Sequence, residues 1–120
     1  MRIGELAART GVSTRLLRYY EQQGLIASER EANGYRDYPE SAIERVSQVR
    51  GLIEAGIPTG VIYDMLPCLA NTSSPTAPVI MQDVADTLAE RRAQLDQRIG
   101  CLTRNRDAIT AYLARATVTN

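Results

Sequence analysis

The nonapeptide REANGYRDY, residues 30–38, sets one Asn-Gly pair among arginines and tyrosines. Asn33-Gly34 is the strongest short-range signal for a two-residue β-hairpin turn, because both residues tolerate positive φ. A lone two-stranded hairpin is marginal in water, so this one needs a body to rest on. The sequence on either side reads as helix.

Upstream, Ile3, Leu6 and Ala7 share one face of a short helix that fades near Arg9, and Gly11 suits the left-handed position after it. Val12 points inward, and Ser13 is a good N-cap for a second helix over residues 14–22. Leu16, Leu17 and Tyr20 are expected on the inner side of that helix, with Gly24 at its end and Leu25 and Ile26 returning to the core. Two short helices on a tight Gly-containing turn describe a helix-turn-helix. A hairpin directly after it reads as a wing.

Downstream, Pro39 suits the first turn of a third helix and Glu40 sits favourably at its positive end. Ile43, Val46, Val49, Leu52 and Ile53 carry its apolar stripe as far as Gly56. Pro58-Thr59 opens a fourth helix with Val61, Ile62, Met65 and Leu66 inward, which Pro67 is expected to limit. ANTSSPTAP, residues 70–78, reads as a linker.

From residue 79 to 114 the period changes. Met81, Leu88, Leu95, Leu102 and Ile109 fall seven apart, and Ala85, Arg92, Ile99, Arg106 and Leu113 form the companion positions. A helix of this length runs about 50 Å at 1.5 Å per residue. It needs a second helix along its stripe and the chain supplies none, so a homodimer is expected through Met81, Leu88, Leu95, Ile99, Leu102, Ile109 and Leu113. In a parallel, in-register pair Arg92 and Arg106 would each face their own copy, which favours an antiparallel coiled coil. Gly100 costs about 1 kcal/mol relative to Ala in a helix and is read as a place of close helix approach. The chain thus divides into a domain at 1–69, a linker at 70–78, a dimerisation helix at 79–114 and a tail at 115–120.

Composition narrows the chemistry. Arginine supplies all 14 positive charges, balanced by 14 acidic residues; there is no histidine, and Cys68 and Cys101 are the two cysteines. Zero net charge argues against a polybasic tail but leaves room for a local basic face. Arginine without lysine favours planar, bidentate contacts. Without histidine no Ser-His-Asp or Cys-His pair and no His-ligated metal site can be built, so neither an enzyme, a metal nor a cofactor is expected. Two distant cysteines do not make a disulfide scaffold. With neither a signal-like segment nor an apolar run of membrane-spanning length, the expected location is cytoplasmic, with no membrane partner.

The second helix turns Thr14, Arg15, Arg18 and Tyr19 away from its inner side, offering hydroxyls to phosphate and guanidinium groups to phosphate or guanine edges. The hairpin adds Tyr35, Arg36 and Tyr38, a mixture suited to a phosphate backbone and a groove. A dimer of such units would read a palindromic site on double-stranded DNA.

In this order the residues resemble the MerR family of bacterial transcription regulators. The resemblance rests on RIGELAARTGVSTRLLRYYEQQGLI, then EANGYRDY, then a helix bearing Ile43, Val46 and Leu52, then AGIPTGVIYDML. It implies a mainly α fold: a winged helix-turn-helix domain with a small β-hairpin wing, followed by a long antiparallel dimerisation helix. It also implies a homodimer on an inverted-repeat promoter operator, distorting promoter DNA, with RNA polymerase as a further partner. By motif match Ser13, Thr14, Arg15, Arg18 and Tyr19 fall on the recognition helix. Asn33, Gly34, Tyr35 and Arg36 fall on the wing, with Tyr38 at its base and Arg30 as a secondary candidate.

The sensor half of the family does not carry over. Metal-sensing relatives have a cysteine near the start of the long helix and a cysteine-bearing loop after it; here those stretches read TAPVIMQDV and YLARATVTN. No small-molecule effector is named by the sequence. Cys68 and Cys101 are expected to be small, partly buried packing residues, with a thiol or redox sensor as the competing reading. A dimeric protein-interaction adaptor is the alternative that zero net charge allows.

Overall fold

The computed structural model describes residues 1–69 and 78–120. The chain forms two compact units, Met1–Pro78 and Val79–Asn120. Of the expected linker at 70–78, all but Pro78 lies outside the described residues.

The first unit begins with α1 (Ile3–Thr10), which ends at Gly11 with φ 72°. The Thr10 hydroxyl donates to the Leu6 carbonyl at 2.7 Å and accepts from the Val12 N–H at 3.3 Å, carrying the chain across the turn. Ser13 caps α2 (Thr14–Gln22) as expected, its Oγ accepting from the Leu16 N–H at 3.2 Å. The hairpin pairs β1 (Glu29–Arg30) with β2 (Arg36–Asp37), Glu29 opposite Asp37 and Arg30 opposite Arg36. It is followed by α3 (Ser41–Glu54) and α4 (Thr59–Leu69). α1 packs on α2 and α3, and α3 on α4. Leu6, Val12, Leu17, Tyr20, Leu25, Ile26, Val46, Val49 and Ile62 are all buried between them.

Several expectations change. Leu16 is 46% exposed. On a helix it lies about 100° from Leu17 and about 40° outside the arc that Leu17 and Tyr20 define, on the Tyr20 side, so it flanks the core. The turn is longer than Asn-Gly alone suggests. Glu31 N–H donates to the Tyr35 carbonyl at 2.8 Å and Gly34 N–H to the Glu31 carbonyl at 2.9 Å, with Gly34 at φ 85°. That is a three-residue loop, Ala32 to Gly34, in which only the glycine is required to be left-handed. α3 starts at Ser41, with Pro39 and Glu40 forming a lead-in turn whose carbonyls accept from Ala42 and Ile43. α4 passes through Pro67 and ends at Leu69; a proline this close to the C-terminus forgoes a single helical N–H.

Gly24 joins α2 to the wing at φ 75°, and a Cβ there would sit 2.9 Å from Cε2 of Tyr63 on α4. Glycine is therefore favoured by conformation, and any side chain there would also have to displace the exposed Tyr63 ring.

The second unit is α5 (Gln82–Arg115), 34 residues with none buried. At 1.5 Å per residue it is about 50 Å long. Met81 is its N-cap with extended backbone (ψ 152°), so the first member of the expected heptad stripe stands outside the helix. Ile99, Leu102, Ile109 and Leu113 are exposed, and Leu95 is 38% exposed. Beside Gly100 a Cβ would meet only the guanidinium of Arg104, at 3.4 Å. Arg106 pairs with its neighbour Asp107 at 3.0 Å. Among the described residues no helix is long and apolar enough to cross a membrane, and no three potential metal ligands cluster.

Candidate nucleic-acid interface

Because Leu17 and Tyr20 anchor α2 inward, Arg15, Arg18 and Tyr19 are left on its outer surface, all exposed. Ser13 spends its Oγ on the helix cap, and Thr14 is half-buried. Among the described residues neither Arg15 nor Arg18 has an ion-pair partner, whereas Arg2, Arg9 and Arg36 do.

A groove of about 750 Å³ runs between α2 and the hairpin, lined by Arg2, Ile3, Arg18, Arg30, Gly34, Tyr35, Arg36 and Tyr38. Four guanidinium groups from the N-terminal segment, α2 and both strands thus converge on one face. The like-charged Arg30 and Arg36 are direct cross-strand partners, a pairing that is unfavourable by itself. Arg2 places its guanidinium carbon 4.4 Å above the Tyr35 ring and bonds Glu31 at 3.1 Å, steadying the loop. Asn33 Oδ1 accepts from the Tyr35 N–H at 3.1 Å, so its side chain shapes the turn. Tyr35 itself is 61% exposed.

Tyr38, grouped with the DNA-facing residues on sequence grounds, is 1% exposed. Strand alternation does not reach it, because β2 ends at Asp37. Its N–H donates to the Met1 carbonyl at 2.7 Å, and the Met1 amino group donates to Asp37 Oδ1 and to the Tyr38 carbonyl, both at 2.8 Å. The Tyr38 hydroxyl donates to Glu21 Oε1 at 2.8 Å. Burial, then the bond to Glu21, pushes that hydroxyl up to about 12. Tyr38 is a core residue that anchors the wing.

Arg2 and Glu21 are the residues that sequence reasoning passed over. Glu21 accepts from Ser28 Oγ at 2.9 Å as well as from Tyr38, and its Oε2 lies 3.1 Å from Arg36 Nε. Its presence in RYYEQQGL was visible, but nothing local to that helix names its partners.

Cys68 and Cys101 are both exposed in the single chain, where partly buried positions were expected.

Comparison with known proteins gives this arrangement its family. The model for the MerR HTH family regulatory protein matches residues 1–68. An HTH-type transcriptional activator SoxR homolog from Chromobacterium violaceum is 39% identical over 109 residues, covering 82% of this chain and 74% of that protein. The HTH-type transcriptional regulator HmrR of Rhizobium leguminosarum bv. viciae is 31% identical over 103 residues, covering 86% and 76%. Among solved structures, HiNmlR, a MerR family regulator lacking the sensor domain and bound to promoter DNA, shares the fold. Its TM-score is 0.59 at 19% identity, covering 94% of this chain and 86% of that one. The chain belongs to the MerR family and is a DNA-binding transcriptional regulator.

Proposed function

We propose that this regulator binds an inverted-repeat promoter operator as an antiparallel homodimer through α5 and distorts the promoter DNA for RNA polymerase. Ser13, Thr14, Arg15, Arg18 and Tyr19 meet DNA from α2, and Asn33, Gly34, Tyr35 and Arg36 meet it from the wing. The observation that carries this reading is the groove between α2 and the hairpin, where four arginines converge and, among the described residues, Arg18 has no ion-pair partner. Unpaired guanidinium groups on an exposed face are suited to phosphate oxygens and to the O6 and N7 edge of guanine. The unburied stripe of Leu95, Ile99, Leu102, Ile109 and Leu113 supports the dimer, since apolar positions at heptad spacing are stabilised by a facing helix.

Selection of bound duplexes from a random DNA pool tests the proposal. The expected product is a motif with two related half-sites, bound with an affinity that falls steeply with salt. Recovery of no motif with two related half-sites would overturn the inverted-repeat operator.

A further inference from the structure

Among the residues lining the groove and its continuation past Gln22, Glu21 is the one acid. On a surface meant for phosphate an isolated carboxylate should oppose binding. Its surroundings give it a different task. The side chain is 19% exposed and faces three partners from three points of the wing segment: Ser28 before β1, Arg36 on β2 and Tyr38 just after β2. One carboxylate in the last turn of α2 therefore ties both ends of the hairpin to the recognition helix.

The geometry at Arg36 is selective. Its Nε is the atom nearest Glu21, at 3.1 Å, and no described group accepts a hydrogen bond from either of its terminal NH2 groups. A guanidinium is a rigid plane with five N–H donors. Contact at Nε orients that plane and leaves the terminal groups available.

We infer that Glu21 is a positioning residue for DNA binding, setting the wing against α2 and presenting the outer edge of Arg36 to phosphate. This role presupposes the phosphate contact proposed for Arg36. B-form DNA fixes the spacing between a major groove and its flanking phosphates, so a wing held at the wrong angle loses contacts even when every arginine is retained.

The test is a double-mutant cycle on operator affinity, using wild type, Glu21→Gln, Arg36→Ala and the double variant, each checked for its melting temperature. Each single change is expected to weaken binding roughly tenfold, the scale of one charged hydrogen bond. The double variant is expected to bind more weakly than Arg36→Ala alone but by less than the sum of the two losses, because they share the Arg36 contact while the ties to Ser28 and Tyr38 are lost separately. Tyr38→Phe keeps the buried ring while removing one donor to Glu21, and a loss of roughly threefold is expected. Glu21→Gln binding as tightly as wild type, or losses that simply add, would overturn the clamp while leaving the DNA-binding face intact. An unchanged Tyr38→Phe would also count against it. Arg36→Ala binding like wild type would instead remove the phosphate contact on which the inference rests.

Discussion

Leu17 of α2 is fully buried, whereas Leu102 of α5, equally apolar and equally helical, is 58% exposed. The two units differ in this way throughout. Residues 1–69 close a core around Leu6, Leu17, Val46, Val49 and Ile62, while α5 buries none of its 34 residues. A core closed within one chain gives that unit its own stability, and the wing borrows from it through Tyr38 and Glu21. An apolar stripe left open has no such source, and isolated helices draw little stability from propensity alone. The difference separates a unit whose core is complete within one chain from a helix whose apolar stripe is open.

Four changes would break or sharpen that contrast. Leu95→Glu with Leu102→Glu places charge on the proposed seam, and sedimentation should show monomers. Operator affinity should then fall by at least about a hundredfold, since two half-sites are no longer linked. Leu17→Ala attacks the other unit and should cost about 2–5 kcal/mol in a urea melt, with α5 still able to pair in crosslinking. Arg18→Ala should remove about 1–3 kcal/mol of operator binding while dimer and melting temperature stay unchanged; unimpaired binding would sink the assignment of α2 as the recognition helix. The mildest change is titration. The Tyr38 hydroxyl is raised to about 12 by burial and its bond to Glu21, and Tyr20 is raised too, chiefly by burial. Because the folded value lies above the unfolded one, about 10, this stability is complete below pH 10 and drains away as pH rises toward 12. Melting curves across that range should fall, and Tyr38→Phe should flatten the fall.

Much of the fold was legible because it rests on local rules. Gly11 after α1, Ser13 capping α2 and the apolar spacing of Val46, Val49 and Ile62 each follow from chemistry within a few residues. Leu16 was misread because a stripe of three apolar residues on a nine-residue helix does not reveal how narrow the buried arc is. The turn was misread because Asn-Gly serves loops of two residues and of three. The bond from the Glu31 N–H to the Tyr35 carbonyl, just beyond the strands, decides between them. Tyr38 defied alternation once the chain left β2 for a bond with Met1, 37 residues away. Glu21 was invisible for the same reason: its partners lie 7 and 17 residues further on, and only the fold brings them together.

The register that sets Arg30 opposite Arg36 has a consequence for solution conditions. Facing cations on an exposed ladder repel, and dissolved electrolyte weakens that repulsion. The half-buried contact of Arg36 with Glu21 is screened less. In the unliganded regulator, added salt therefore relieves this repulsion while weakening the exposed Arg2–Glu31 pair that steadies the loop, and amide exchange at Glu31 and Tyr35 reads the balance. The same salt should loosen the complex with DNA, where displaced counterions favour association at low ionic strength. Salt thus acts on the free wing through two opposing exposed pairs, and on the complex in one direction.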